Sequence, residues 1–418
     1  MCDNINTYSS SDTIYKKFLE TLKRDGVVKC KKCQINDGFV LLQRKDVFCR
    51  QCLANYCAHK FRSTIGKSKA IQREQRIIIA FSGGVNSSAM IDLIKDGLNE
   101  DQHRRLRFVP SLVYIDDRIL RQNESIEEQE LIFKEITNIM IETNWDCYVS
   151  SIEMSYRQNN DIFYTKINNQ INKTSVECQK TFSDCFSSIT SLTSKQEFIK
   201  QMRTRLIVDI AANEKFDKIF MANNATHLGI NLLSDVAIGK GIQLQSEAVF
   251  VDERQEVPIL RPMRELTAKE ITFYAIMKNL KFVITKTLTT NTSLKSSLQR
   301  MSESFVNGLQ SEFPATLYTI MKTGDKLKVD SDDTDSQLKC SVCSSIIDTI
   351  NRPKCSAYET LRLTNYLSNN SIQNPNDMNS LSLNTSNILP QLCYSCNIIA
   401  NEMSNETKFP KNLSKKLI

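Results

Sequence analysis

Apolar positions in this chain fall into short continuous runs and longer stretches where they recur every three or four residues. Arg76-Ile77-Ile78-Ile79-Ala80-Phe81 is a run of the first kind, suited to a strand buried on both faces. It ends in Ser82-Gly83-Gly84. A helix is predicted from about Ser87, with Met90, Ile91, Leu93 and Ile94 as its apolar face and Gly97 as its stop. A second strand is expected over Leu106 to Asp117, a helix from Glu124 to about Thr143, and a third strand over Asp146 to Ile152. Residues 157–192 are polar and show no clear period. Ser194-Lys195-Gln196-Glu197 reads as a capping box opening a helix in which Phe198, Met202, Leu206 and Ile210 recur at every fourth position. Lys218 to Met221 and Val257 to Leu260 read as fourth and fifth strands, and Thr267-Ala268-Lys269-Glu270 as a second capping box.

Strands separated by helices predict an open α/β domain with a mostly parallel sheet. Four segments follow: 1–60 with an N-terminal cysteine module, 61–290 as the α/β domain, 291–335 as a helical extension and acidic linker, and 336–418 as a C-terminal cysteine region. Asp330 to Asp335 is acidic and Leu367 to Asn387 is rich in Asn and Ser, so both read as exposed loop.

Fourteen cysteines in 418 residues change the picture. Met1-Cys2-Asp3-Asn4 has neither the basic nor the apolar part of a secretory leader, and no apolar run approaches the ~18 residues of a membrane span. A reducing, cytoplasmic setting is expected, where close cysteine pairs bind metal more often than they form disulfides. Cys30-x2-Cys33 and Cys49-x2-Cys52, with 15 residues between the pairs, have zinc-ribbon spacing. Phe39 to Leu42 and Val47-Phe48 in the spacer suit two short strands. Four soft thiolates arranged as a tetrahedron leave no open position, so a structural rather than catalytic zinc is expected. Cys340-x2-Cys343 and Cys393-x2-Cys396 form a second candidate zinc site across a long insertion, because loop closure costs grow slowly with length. Two unrelated pairs are the alternative there, and Cys57 or Cys355 could substitute as ligands.

Ser82-Gly83-Gly84-Val85-Asn86-Ser87-Ser88 lies between a strand and a helix start, where backbone N–H groups favour an anion such as a nucleotide phosphate. A plain strand-to-helix turn is the alternative. Net charge is +7, and Lys60, Arg62, Lys67, Lys69, Arg73 and Arg76 stand against Glu74 alone. Such a run is either a solvated face or a contact to nucleic-acid phosphates.

The order of these motifs is more specific than any one of them. The first cysteine quartet leads into Tyr56-x2-His59-Lys60-Phe61-Arg62 and the Ser-Gly-Gly loop. Leu260-Arg261-Pro262-Met263-Arg264-Glu265 follows, then Cys340-x2-Cys343 and Leu392-Cys393-Tyr394-Ser395-Cys396. This order resembles the cytoplasmic tRNA 2-thiolation protein 2 family along nearly the whole chain. The resemblance implies a PP-loop ATP-pyrophosphatase core with ATP and Mg²⁺ at the loop. It also implies a heterodimer with a related catalytic subunit, and 2-thiouridine formation at the wobble position of tRNAs for Lys, Glu and Gln. Sulfur would come from a thiocarboxylated ubiquitin-related modifier.

The departures imply a non-catalytic role, with a self-sufficient sulfurtransferase or a zinc-bearing scaffold as alternatives. Asn86 stands where the active pattern has Asp, and Asn223-Asn224-Ala225-Thr226-His227 where it has His-Asn-Ala-Asp-Asp. No cysteine falls between Cys185 and Cys340, which leaves Cys178 and Cys185 as the candidate sulfur carriers. His227, Asp116 and Asp117 end strands where α/β ligands bind, although capping or solvation would also explain them, and His59 lies beside the first quartet.

Overall fold

The computed structural model describes residues 28–42, 46–99, 105–121, 124–158, 162–167, 176–313, 315–327, 339–347, 392–403 and 409–410. The acidic and Asn/Ser-rich segments and Cys355 lie outside these residues.

Strands β1 (Val40–Leu42) and β2 (Asp46–Phe48) form the hairpin expected between the first cysteine pairs, with Leu41 opposite Val47. Helix α1 (Arg50–Ser68) starts directly after Cys49, so the second knuckle doubles as a helix N-terminus. Much of the basic stretch is therefore helical. The seven-stranded sheet follows: β3 (Gln75–Ala80), β4 (Phe108–Asp116), β5 (Asp146–Ser151), β6 (Thr165–Lys166), β7 (Lys218–Phe220), β8 (Val251–Asp252) and β9 (Ile259–Leu260). Its order is β6-β5-β4-β3-β7-β9-β8; the five inner strands are parallel and both edge strands antiparallel. The predicted α/β class with a mostly parallel sheet is thus observed. Pro110 sits in β4 where only β3 is paired, since β5 joins at Ser111, and its missing N–H costs no ladder bond there.

Alternation along β3 divides the core. Ile77, Ile78 and Ile79 are fully buried, each stabilising by roughly 1.5–3 kcal/mol. Ile77 and Ile79 face the layer formed by α1, α2 (Val85–Leu98), α3 (Ile126–Ile141) and α8 (Ala268–Met277). Ile78 faces α4 (Val176–Ser188), α5 (Leu192–Asn213) and the C-terminal cysteine cluster. Helix α6 (Ala225–Ile238), which the short α7 (Leu244–Ala248) follows, packs against α9 (Leu298–Glu312) and α10 (Thr316–Lys326) through Ala225, Ile230, Val306 and Leu317.

Several boundaries differ from the sequence reading. Helix α2 begins at Val85 rather than Ser87, because Gly84 already has extended N-cap geometry. The Ser194 capping box is not formed. Ser191 caps α5 instead, accepting from the Ser194 N–H at 3.1 Å, while Glu197 turns inward to Lys240. The polar 157–192 stretch contains α4, anchored by Cys178, Phe182 and Cys185. The Thr267 capping box forms as expected.

Candidate nucleotide crevice and cysteine clusters

After β3 the chain winds outward through β4 and β5, then returns to β7 on the other side of β3. The carboxyl ends of β3 and β7 therefore flank the switch point where open α/β sheets bind ligands. The Ser-Gly-Gly loop lies there. Gly83 has φ +78°, and a Cβ on it would lie 2.8 Å from Ile136 Cγ1, so a glycine is required. Its carbonyl accepts from the Val283 N–H at 2.8 Å. The hydroxyls of Ser82 and Ser87 lie 3.2 Å apart, and Ser87 Oγ donates to the Gly84 carbonyl at 3.0 Å. The loop is thus braced from inside. Ser82 is exposed, and buried Ser88 has no partner for its Oγ among the described residues.

Asn224 caps α6 by accepting from the His227 N–H at 2.8 Å, and its Nδ2 donates to Asn86 Oδ1 at 3.0 Å. Two neutral amides therefore close the gap between the two helix starts. Thr226 Oγ1 accepts from the Ala268 N–H, tying α6 to α8. Burial pulls His227 down to about 4, which keeps it neutral near pH 7.

At the end of β4, Asp116 accepts from the Arg118 N–H at 3.1 Å and Nε at 2.8 Å. Asp117 is paired with Arg121 and Arg203. Beyond β5 lies Glu153, which the motif pattern does not single out. Burial, helped by the nearby Asp116 charge and opposed by a backbone N–H, pushes its carboxyl up to about 7. The available signal was positional: Ser150, Ser151 and Glu153 are polar residues at and just past the end of an apolar strand, where α/β sheets place ligand groups.

The two cysteine quartets each bring four sulfurs within 4.8 Å of one another. Cys33 and Cys49 are 3.8 Å apart, and Cys343 and Cys393 3.5 Å. These separations are too long for the ~2.05 Å disulfide bond. They approach the ~3.8 Å edge of a tetrahedron with ~2.3 Å zinc–sulfur bonds. Both quartets could therefore hold a metal ion. Burial opposes the Cys30 thiolate, but backbone hydrogen bonds at Cys33, Cys49 and Lys32 outweigh it and bring the pKa to about 6. His59 is exposed and Cys57 is buried against the core, and neither joins the first quartet.

The quartets differ in setting. The first is peripheral, with Cys33 half-buried. The second is part of the main core, next to Phe198 and Met202. Gln243 Nε2 points at Cys393 Sγ (3.3 Å), and Arg254 donates to Ser345 at 3.0 Å. Helix α11 (Tyr394–Glu402) then uses Glu402 to accept from the Ser191 N–H and Ser194 Oγ. Arg254 and Arg261 share Asp252, which explains Arg261 of the motif at residues 260–265.

Cys178 and Cys185 lie on α4. Burial raises the Cys185 thiol and outweighs the opposing hydrogen bond that the Tyr156 hydroxyl donates to it at 2.8 Å, so it is not poised as a thiolate. Lys60 is held within the chain, 3.1 Å from Glu270 and 4.7 Å above the Tyr56 ring. Arg62 is half-buried on α1, while Lys67, Lys69 and Arg73 are exposed.

A family model described as cytoplasmic tRNA 2-thiolation protein 2 matches residues 297–398. The protein of that name from Xenopus tropicalis is 30% identical over 404 residues, spanning 83% of this chain and 78% of that protein. The human protein of that name is 28% identical over 371 residues, spanning 77% and 72%. Among solved structures, the U34-tRNA thiolase NcsA from Methanococcus maripaludis, with its 4Fe–4S cluster, aligns with a TM-score of 0.51. It has 16% identity and covers 71% of this chain and 86% of that one, which speaks for a shared fold. No helix among the described residues is long and apolar enough to cross a membrane. The chain belongs to the cytoplasmic tRNA 2-thiolation protein 2 family.

Proposed function

We propose that this chain is the non-catalytic subunit of a heterodimer that forms 2-thiouridine at the wobble position of tRNAs for Lys, Glu and Gln. Family membership supports a role in tRNA thiolation. The observation that carries the division of labour is the 3.0 Å contact between Asn86 and Asn224 across the switch point. Phosphate transfer at such a site needs carboxylates to hold Mg²⁺ and offset phosphate charge. Here Asn86, Thr226 and neutral His227 occupy the positions where the active pattern has carboxylates. The Ser82–Ser88 loop keeps the shape of an anion cradle, but without those carboxylates to hold Mg²⁺ its residues would hold ATP only weakly. The archaeal thiolase carries a 4Fe–4S cluster, whereas the metal-ligating groups that meet among the described residues here are the two cysteine quartets. Both fit structural zinc.

In this reading a related subunit adenylates the uridine carbonyl oxygen and receives sulfur from a thiocarboxylated ubiquitin-related modifier. This chain supplies a braced docking core and a surface for tRNA. The test is mass spectrometry of wobble 2-thiouridine in cells lacking the chain, with the wild-type chain restored as control. Loss and rescue are expected; persistence overturns the reading. If the isolated chain thiolated tRNA at the rate of the complex, the non-catalytic assignment would fail instead.

A further inference from the structure

The cations that could meet tRNA do not face the crevice. Lys67 closes α1, Lys69 caps it, Arg73 follows, and β3 then runs from Gln75 to Ala80 before the loop. At about 3.3 Å per residue, β3 spans roughly 17 Å between its ends, so these cations lie at the amino-terminal edge of the sheet, a full strand length away from the loop. The crevice is at the opposite edge.

Parallel pairing brings further cations to this edge from distant sequence. The Glu74 N–H donates to the Arg107 carbonyl at 2.9 Å, fixing the approach to β3 beside the approach to β4, which carries Arg105. The Asp217 N–H donates to the Arg76 carbonyl at 2.9 Å, and the Arg76 N–H returns a bond to the Asp217 carboxylate at 2.7 Å. That stitch places the turn before β7, with Lys215, alongside, and Lys218 pairs with Ile77 in the ladder. Lys67, Lys69, Arg73, Arg105 and Lys215 are exposed and Lys218 half-buried. Among the described residues none of these six forms an ion pair. Glu74, Asp146, Glu214, Asp217 and Glu256 are the acids near these strand starts; Asp217 already serves the Arg76 amide, and Glu214 accepts from the Tyr148 and Tyr164 hydroxyls.

We infer that this edge binds the phosphate backbone of an RNA at a distance from the crevice. The inference rests on the thiolation reading, in which the RNA is the body of the tRNA. Cations fixed on stitched backbone segments form a standing positive field, and phosphate contacts of this kind need no base readout. An RNA gripped here cannot also present a base to this chain's own crevice without passing around the sheet. The edge therefore holds tRNA while its wobble base reacts on the partner.

The test is fluorescence anisotropy of labelled tRNA with the full chain, titrated at several salt concentrations. The variant combines Lys67→Glu, Arg73→Glu and Lys215→Glu. Each lost phosphate contact removes roughly 0.7–0.9 from the slope of log affinity against log salt, so a loss of about 2 is expected, with affinity down at least about tenfold. The charge-conserving set Lys67→Arg, Arg73→Lys and Lys215→Arg should keep both. Should the triple variant melt early, Arg73→Glu alone, at an exposed site, should still lower the slope. Unchanged affinity and slope overturn the inference, including the case in which the variant loses an acidic protein rather than RNA. Persistence of 2-thiouridine in cells lacking the chain overturns the thiolation reading instead, so the two failures are distinguishable.

Discussion

Lys240→Met tests how the C-terminal cysteine cluster is held to the sheet. Lys240 is fully buried, with Nζ 2.6 Å from Glu197 and 3.0 Å from Asp235. Lys200, Glu247, Arg254, Asp252 and Arg261 extend the network, giving four acids against four bases. The Gln243 N–H donates to the Lys240 carbonyl at 2.9 Å, and Gln243 in turn reaches Cys393. Methionine keeps much of the volume but leaves Glu197 and Asp235 facing each other without their shared cation. Removing one partner of a buried pair costs about 3–5 kcal/mol. At about 2–4 °C per kcal/mol for a domain of this size, the melting temperature should fall by at least about 6 °C. The sign of the pH dependence follows from the carboxylates. In the wild type the Lys240 charge overcomes the burial penalty and holds Glu197 below its ordinary value, so that contribution is present above the usual carboxylate pKa and lost on acidification. In the variant, burial without the cation raises it, and protonation relieves the strain. The gap between variant and wild type should narrow from pH 7.5 to pH 5.5 in paired thermal and urea melts. A loss under about 1 kcal/mol at pH 7.5, or a gap independent of pH, would refute the reasoning.

Glu153→Gln should stabilise the chain at pH 8, by about 1–3 kcal/mol, because a carboxyl raised from 4.5 to about 7 gives its full stability below 4.5 and loses it as pH rises through 7. Melts at pH 8 and pH 5 should show the gain shrinking at the lower value. Gly83→Ala should cost at least about 1–2 kcal/mol from the left-handed backbone alone, with the Ile136 clash adding to it, read by urea denaturation. Chelation should remove the ion from the peripheral Cys30 quartet with little change in global melting, while loss from the Cys340 quartet should accompany unfolding of the core. Native mass spectrometry alongside a melt would separate the two steps, and a single joint loss would contradict the difference in setting. Changing both Cys178 and Cys185 to Ala should leave wobble 2-thiouridine in place, since α4 holds these thiols inside the fold.

The sequence by itself determined the elements whose signals are local. The unbroken apolar run from Ile77 to Phe81 cannot satisfy a half-exposed strand, so β3 is buried wherever the chain places it. The Thr267 capping box closes within four residues and needs no distant partner. Both cysteine quartets were legible because paired thiolates at knuckle spacing have few other uses. Helix α1 was also within reach, since Leu53, Cys57, Phe61 and Ile65 recur every fourth residue and all are buried, but the charged residues between them mask that period. Other features rested on distance in sequence. Ser194 and Glu197 carry a capping pattern, yet burial beside Lys240 outweighed it, because an uncompensated buried ammonium costs more than a helix cap gives. The Asn86–Asn224 contact joins residues 138 positions apart, and the basic edge joins three separate strand approaches. Only the order of strands in the sheet decides which residues become neighbours there, and that order is set by packing of whole layers rather than by any local pattern.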